Sequence, residues 1–149
     1  MAATGDAGRT DDPGPLFAPR LAGGLLRVPG DGVAVAEWTD PGGGTDPPTF
    51  VAPLHVHLED DEAWYVLEGS LMVRVGATDV EVPAGGAVIA PRGTPHTYWN
   101  PYKDPARYVL ISTSRINALI EALHAPTERT EEAVRATFAE HGSVYLGWP

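Results

Sequence analysis

From Phe50 onward the sequence changes character every few residues, and that spacing is its strongest constraint on fold. Short apolar or alternating runs at 51–57, 63–68, 71–75, 80–82, 87–90, 96–100 and 107–113 read as strands. Between them stand turn formers: Glu68-Gly69-Ser70, Gly76-Ala77-Thr78-Asp79, Pro83-Ala84-Gly85-Gly86, Pro91-Arg92-Gly93 and Asn100-Pro101. Runs this short cannot each bury a helical face. They must pair with one another, and many short strands with such punctuation predict an all-β sandwich or barrel. The 17 glycines and 15 prolines are enough to supply those turns without reaching a disorder-like composition.

Upstream, 25–28 and 33–38 read as two further strands parted by Pro29-Gly30-Asp31-Gly32, and 40–48 is a loop. Residues 1–15, small, polar and rich in Pro and Gly, are expected to form a disordered tail. After residue 113 the period changes. Ile116, Leu119, Ile120 and Leu123 mark one face of a short helix that Pro126 closes. A second helix follows Thr127 or Thr130, is expected to bury Ala133, Val134, Thr137 and Phe138, and stops at Gly142. The expected organisation is one domain over 16–149, with a barrel core at 25–113 and a short C-terminal helical tail at 114–142.

Charge narrows the function classes. Ten Lys and Arg against 20 Asp and Glu give a formal charge of −10, with no basic cluster to meet phosphates, so no nucleic-acid partner is expected. No run is long and apolar enough to span a membrane, and the opening residues lack a basic-then-apolar leader, so no membrane partner and a cytoplasmic location are expected. The absence of cysteine excludes a disulfide scaffold, a thiolate metal site and a cysteine nucleophile.

The histidines carry the chemistry. His55 and His57 lie two apart in a strand-like run and project to one sheet face. Glu62 opens the next strand, and His96 opens a later one behind Pro91-Arg92-Gly93-Thr94-Pro95. Three imidazoles and a carboxylate converging in an apolar barrel would hold a divalent metal ion, whereas an isolated His-x-His on a strand is more often an ordinary half-buried pair.

Two longer patterns favour the metal. His55-x-His57-x4-Glu62-x6-Gly69 and Gly85-x5-Pro91-x-Gly93-x2-His96-x3-Asn100 resemble, in order, the first and second motifs of the cupin family. One position departs: Thr49 stands six residues before His55, where the first motif often begins with Gly, which bears on loop shape and not on ligands. The resemblance, over about residues 25–113, implies a small antiparallel β-barrel or jelly roll. It also implies one divalent transition-metal ion (Fe, Mn, Ni, Cu or Zn) on His55, His57, Glu62 and His96, and a homodimer. An exposed edge at 25–28 or 33–38 would give that pairing a physical reason. The ending, a strand at 107–113, two helices and then 141–149, is similar to that of bacterial quercetin-2,3-dioxygenase-type cupins.

What this implies is a metal-dependent oxygenase of a small enol-bearing or aromatic substrate, with Glu62 as ligand and catalytic base. A non-redox cyclase or isomerase of a polyketide-like substrate, or a binding protein without turnover, are the alternatives. Trp64 and Val66 share the parity of Glu62, and Tyr98 that of His96, so these either wall a substrate pocket or fill the core. Glu59, Asp60 and Asp61 read as a solvated acidic turn.

Overall fold

The computed structural model describes residues 14–43, 46–125 and 129–149. Within them the chain runs β1 (Leu25–Arg27), β2 (Val33–Asp40), β3 (Leu54–His57), β4 (Glu62–Glu68), β5 (Ser70–Val75), β6 (Thr78–Pro83), β7 (Ala87–Ala90), β8 (His96–Trp99) and β9 (Ala106–Thr113). Two helices, α1 (Ser114–His124) and α2 (Glu131–Glu140), and a last strand, β10 (Ser143–Gly147), follow. The strands form two five-stranded antiparallel sheets, ordered β1-β2-β9-β4-β7 and β10-β3-β8-β5-β6. Among the described residues no helix is long and apolar enough to cross a membrane. The first thirteen residues of the expected tail lie outside the described residues.

Side-chain alternation is what folds one sheet against the other. Along β4, Glu62, Trp64 and Val66 are buried, while Ala63, Tyr65 and Leu67 face outward and are half-buried or exposed. Trp64 and Val66 meet Leu71, Val73, Val82 and Leu110 in the core between the sheets. β8 is buried on both faces, because the 50–52 segment covers its outer side: Phe50 bridges to Trp99 and packs edge-on against it, and Thr97 donates to the Ala52 carbonyl. That cover is why the strand expected over 51–57 begins only at Leu54. Gly69 has φ +73° at the β4–β5 turn, and a Cβ there would stand 2.6 Å from the Pro105 carbonyl oxygen.

Three expectations need correction. β2 is interior, paired to β1 and β9, so of the two segments singled out as exposed edges only β1 is one. The sheets do not end at Thr113, because β10 returns to pair with β3 along Ser143↔His57 and Tyr145↔His55. On α2 only Phe138 is fully buried. Val134 and Thr137 are half-buried and Ala133 is exposed, since a short helix lying on β10 buries a single stripe. Thr130 is its N-cap, accepting from Ala133 N–H, while Pro126 and Thr127 lie outside the described residues. α1 ends as expected before the proline, with Ala125 extended at φ −62°, ψ 142°.

The acidic turn is also more than solvated. Asp60 is 4% exposed and accepts two hydrogen bonds from the Arg115 guanidinium, at 2.8 and 3.0 Å, which ties the β3–β4 turn to the first turn of α1. Glu59 and Asp61, by contrast, are exposed and pair with Arg115 and Arg92. The Arg115 hydrogen bond holds the Asp60 carboxyl below the usual carboxylate range, against the opposing effect of burial. A depressed carboxyl stabilises the fold above its unfolded pKa, and that contribution disappears as pH falls through the folded value. Asp60→Asn is therefore expected to cost about 1–3 kcal/mol at pH 7, with a smaller deficit in acid. Urea midpoints of both proteins across the acid range measure it; a deficit that does not shrink contradicts the ionic origin.

Candidate metal centre

One four-residue strand and the starts of two others bring the site together. His55 and His57 occupy alternate positions of β3 and so share its inner face; Glu62 opens β4 and His96 opens β8, directly opposite His55 in the antiparallel pair. All four are buried, and their donor atoms lie within 4.8 Å of one another. His55 Nε2 and His57 Nε2 are 3.2 Å apart, His96 Nε2 is 2.9 Å from Glu62 Oε2, and His57 Nε2 is 3.5 Å from the same oxygen.

The far side of each ring explains the orientation. His55 Nδ1–H donates to the Pro53 carbonyl at 2.6 Å and His96 Nδ1–H to the Thr94 carbonyl at 2.9 Å. A carbonyl only accepts, so Nδ1 carries a proton and Nε2 is the atom each ring turns inward, a bare lone pair at neutral His55 and the contact to Glu62 at His96. His57 Nδ1 meets Ser143 Oγ at 2.7 Å, and that hydroxyl points on toward the His141 carbonyl, leaving Oγ to accept. Each imidazole thus has an outer partner that fixes the ring and aims Nε2, the arrangement that metal-ligating histidines use.

Electrostatics point the same way. Burial, with the nearby His96 and His57 adding to it, lowers His55 to about 3, so this ring is neutral throughout the physiological range. Burial pushes the Glu62 carboxyl up, but hydrogen bonds and charge from His57 and His96 outweigh it and hold the group ionised. At His96 burial opposes the charged form, and the hydrogen bond and charge of Glu62 overcome that and raise its pKa. Inward lone pairs and one carboxylate, buried around a common centre without cysteine, suit a divalent first-row ion. The residues present fit such an ion.

Residues 41–112 match the family model described as a cupin domain. The match spans 72 of the 149 residues. Among solved structures the chain is similar to a Klebsiella pneumoniae protein with a double-stranded β-helix domain (22% identity, 60% of this chain and 73% of that one, TM-score 0.49). It is likewise similar to a Thermus thermophilus protein (27% identity, 54% and 71%, TM-score 0.47) and to a predicted oxalate decarboxylase of Thermotoga maritima (18% identity, 55% and 80%, TM-score 0.45). No curated protein sequence matches the chain. The family match covers the residues of both motifs, from His55 to Gly69 and from Gly85 to Asn100, while the ending expected to be similar to quercetin-dioxygenase-type cupins lies outside it.

The cluster opens on a cavity of about 540 Å³ that reaches from His55, His57 and Glu62 out to α1 and α2. Its walls are mainly apolar, with Leu110 from β9 and Leu119, Leu123 and Phe138 from the helices. Of the three residues named as pocket candidates, Tyr98 lines this cavity. Trp64 and Val66 do not: both are fully buried in the core behind it, where Trp64 packs on Tyr98 and edge-on against His96. Core packing is the role, of the two left open, that the structure gives them. The Trp64 indole N–H has no acceptor among the described residues.

Sequence reasoning missed Ser143, Tyr145 and Tyr108. Ser143 and Tyr145 are buried while Val144 and Leu146 are exposed, a period-2 signal that was present at 143–146 but too short to separate from a loop. His124 and His141 each donate Nδ1–H to the carbonyl four residues back, of Ile120 and Thr137, and neither belongs to the cluster of possible metal ligands.

Proposed function

We propose that the protein is a metal-dependent oxygenase acting on a small, largely apolar molecule that carries an ionisable enol or phenol oxygen. The observation that carries this reading is the buried three-imidazole, one-carboxylate cluster at the base of an apolar cavity. His55, His57, Glu62 and His96 would hold one divalent transition-metal ion, which supplies a Lewis acid for a substrate oxygen and, for a redox-active ion, electrons for O₂ chemistry.

The chain's own residues do the rest. Leu110, Leu119, Leu123 and Phe138 exclude water and select a flat apolar body. Glu62 is the buried carboxylate on the cavity floor, and it takes the proton of the substrate hydroxyl at Oε2. The contacts that keep Glu62 ionised also make it a weak base; losing the His96 or His57 contact as substrate enters raises its basicity. His55, neutral across the physiological range, takes no part in that proton transfer.

The test is turnover with and without oxygen. The metal-loaded protein is incubated with a panel of enol-bearing aromatics, and O₂ uptake is followed against product. Turnover that stops under strict anaerobiosis and consumes O₂ in step with product supports the oxygenase. Turnover that persists without O₂ overturns it in favour of a cyclase or isomerase, and metal-dependent binding without turnover overturns it in favour of a carrier or sensor.

A further inference from the structure

The cavity has a second buried polar station, and it is chemically incomplete. Tyr98 follows His96 by two residues on β8 and shares its inner face; Tyr108 lies on β9, between Trp38 of β2 and Val66 of β4. The two phenol oxygens are 2.9 Å apart, both residues are buried, and both line the cavity. Two hydroxyls bring two protons, and their mutual hydrogen bond uses one. Among the described residues the other proton has no acceptor. Of the other polar lining residues, Thr39, Asp40, His124, Arg129 and Glu131 are exposed or half-buried, and Tyr145 is buried on β10, beside Phe138. A buried donor left without a partner is costly, and a ligand that supplies the acceptor is selected for it.

We propose that the Tyr98–Tyr108 pair is the second anchor of the ligand site, donating its free hydroxyl proton to an acceptor oxygen of the substrate. The inference rests on the proposed function and narrows its substrate class. The substrate carries an ionisable hydroxyl for the His55, His57, Glu62 and His96 cluster and, on the same flat apolar body, a carbonyl-type oxygen for the tyrosines. A hydrocarbon at the second position leaves the proton unpaired and is rejected.

Two probes of equal skeleton isolate that oxygen: 4-hydroxyacetophenone and 4-ethylphenol, which differ only in the carbonyl. Each is titrated calorimetrically into the full-length protein loaded with zinc, a redox-inert ion that permits binding without turnover. The double variant Tyr98→Phe, Tyr108→Phe removes both hydroxyls together, so neither is left stranded and the ring packing is retained. Its melting temperature is expected near that of the wild type; should it melt early, the carbonyl stretch of 4-hydroxyacetophenone bound to the wild type replaces it, and a stretch no lower than in an apolar solvent overturns the anchor.

Wild type is expected to prefer the ketone, and the double variant to lose about 5- to 10-fold of that preference, through weaker binding of the ketone and tighter binding of 4-ethylphenol, which no longer leaves a hydroxyl proton unpaired. The greater acidity of the ketone's phenol contributes equally in both proteins and cancels in the comparison. An unchanged preference overturns the anchor. If 4-ethylphenol binds equally well after the zinc is chelated, the metal-centred reading fails instead, and the two failures are told apart by that control. Absence of binding by either phenol overturns both.

Discussion

His96→Ala is expected to weaken metal binding at least about 100-fold, and Ser143→Ala by roughly 10-fold, with the fold intact in both. The grading follows from what each side chain touches. His96 offers its Nε2 to the cluster directly and faces Glu62 Oε2 at 2.9 Å, so its loss removes one of four donors and leaves the carboxylate with a single histidine contact, to His57. Ser143 never reaches the centre; it holds His57 Nδ1 at 2.7 Å, and without it the ring keeps its donor atom but loses its fixed orientation. Glu62→Gln keeps three imidazoles and removes the only carboxylate in the cluster. It should retain part of the metal, yet lower turnover by about 10²–10⁴-fold, the usual weight of a general base. Glu62 raises the pKa of His96, whose Nε2 must be free of its proton to take the metal, so wild-type affinity falls as pH drops, and falls less steeply in His96→Ala. Metal content after dialysis and competition with a chromophoric chelator measure the series. Full metal retention by His96→Ala would remove the basis for the centre.

What the sequence disclosed about this site, and what it did not, has a physical cause. His55 and His57 were assignable to one face because strand side chains alternate, and Gly85 (φ +84°), like Gly69, stands where a turn demands a positive φ. Those are local properties, written into neighbouring residues. The link between His55 and His96 is not local: it depends on which strand pairs with which, and only the motif resemblance joined them before the β3–β8 pairing did. Ser143 shows the limit more sharply. It lies 86 residues from His57, and its contact exists only because the chain returns after two helices to add β10 to the edge of β3.

Asp60 shows a different limit. An acidic run reads as a solvated face because most such residues have water as their partner. Here Arg115, on a helix more than fifty residues later, supplies two hydrogen bonds and takes Asp60 out of water, while Glu59 and Asp61 on either side stay exposed. Trp64 was ambiguous for a related reason. Parity places it inside the barrel, but whether an inward ring meets solvent-filled space or packed side chains depends on Tyr98, which covers it from the neighbouring sheet.

Phe138→Ala is expected to destabilise the protein by about 3–5 kcal/mol and to lower its melting temperature by about 10 °C, without releasing the metal. Phe138 is the one residue of α2 that is fully buried. Its ring packs against Tyr145 of β10 at 5.7 Å and against the His55 imidazole at 5.5 Å, with Leu119 of α1 completing the cluster. Truncation therefore leaves a void where helix, last strand and cavity meet, and the small contact between α1 and α2 cannot close it. Arg135, which donates to the Tyr145 carbonyl and lies 5.0 Å over its ring, keeps α2 attached but fills none of that volume. The metal ligands stay in place because their positions come from β3, β4 and β8 and from the Pro53, Thr94 and Ser143 contacts, none of which involves Phe138. Leu146→Ala is the control: the same strand, a side chain 46% exposed, and an expected change within about 0.5 kcal/mol. A Phe138→Ala loss no larger than that of Leu146→Ala would mean that the helices do not seal the cavity. Loss of metal with the helix would mean that α2, and not the strands, holds His55 in place.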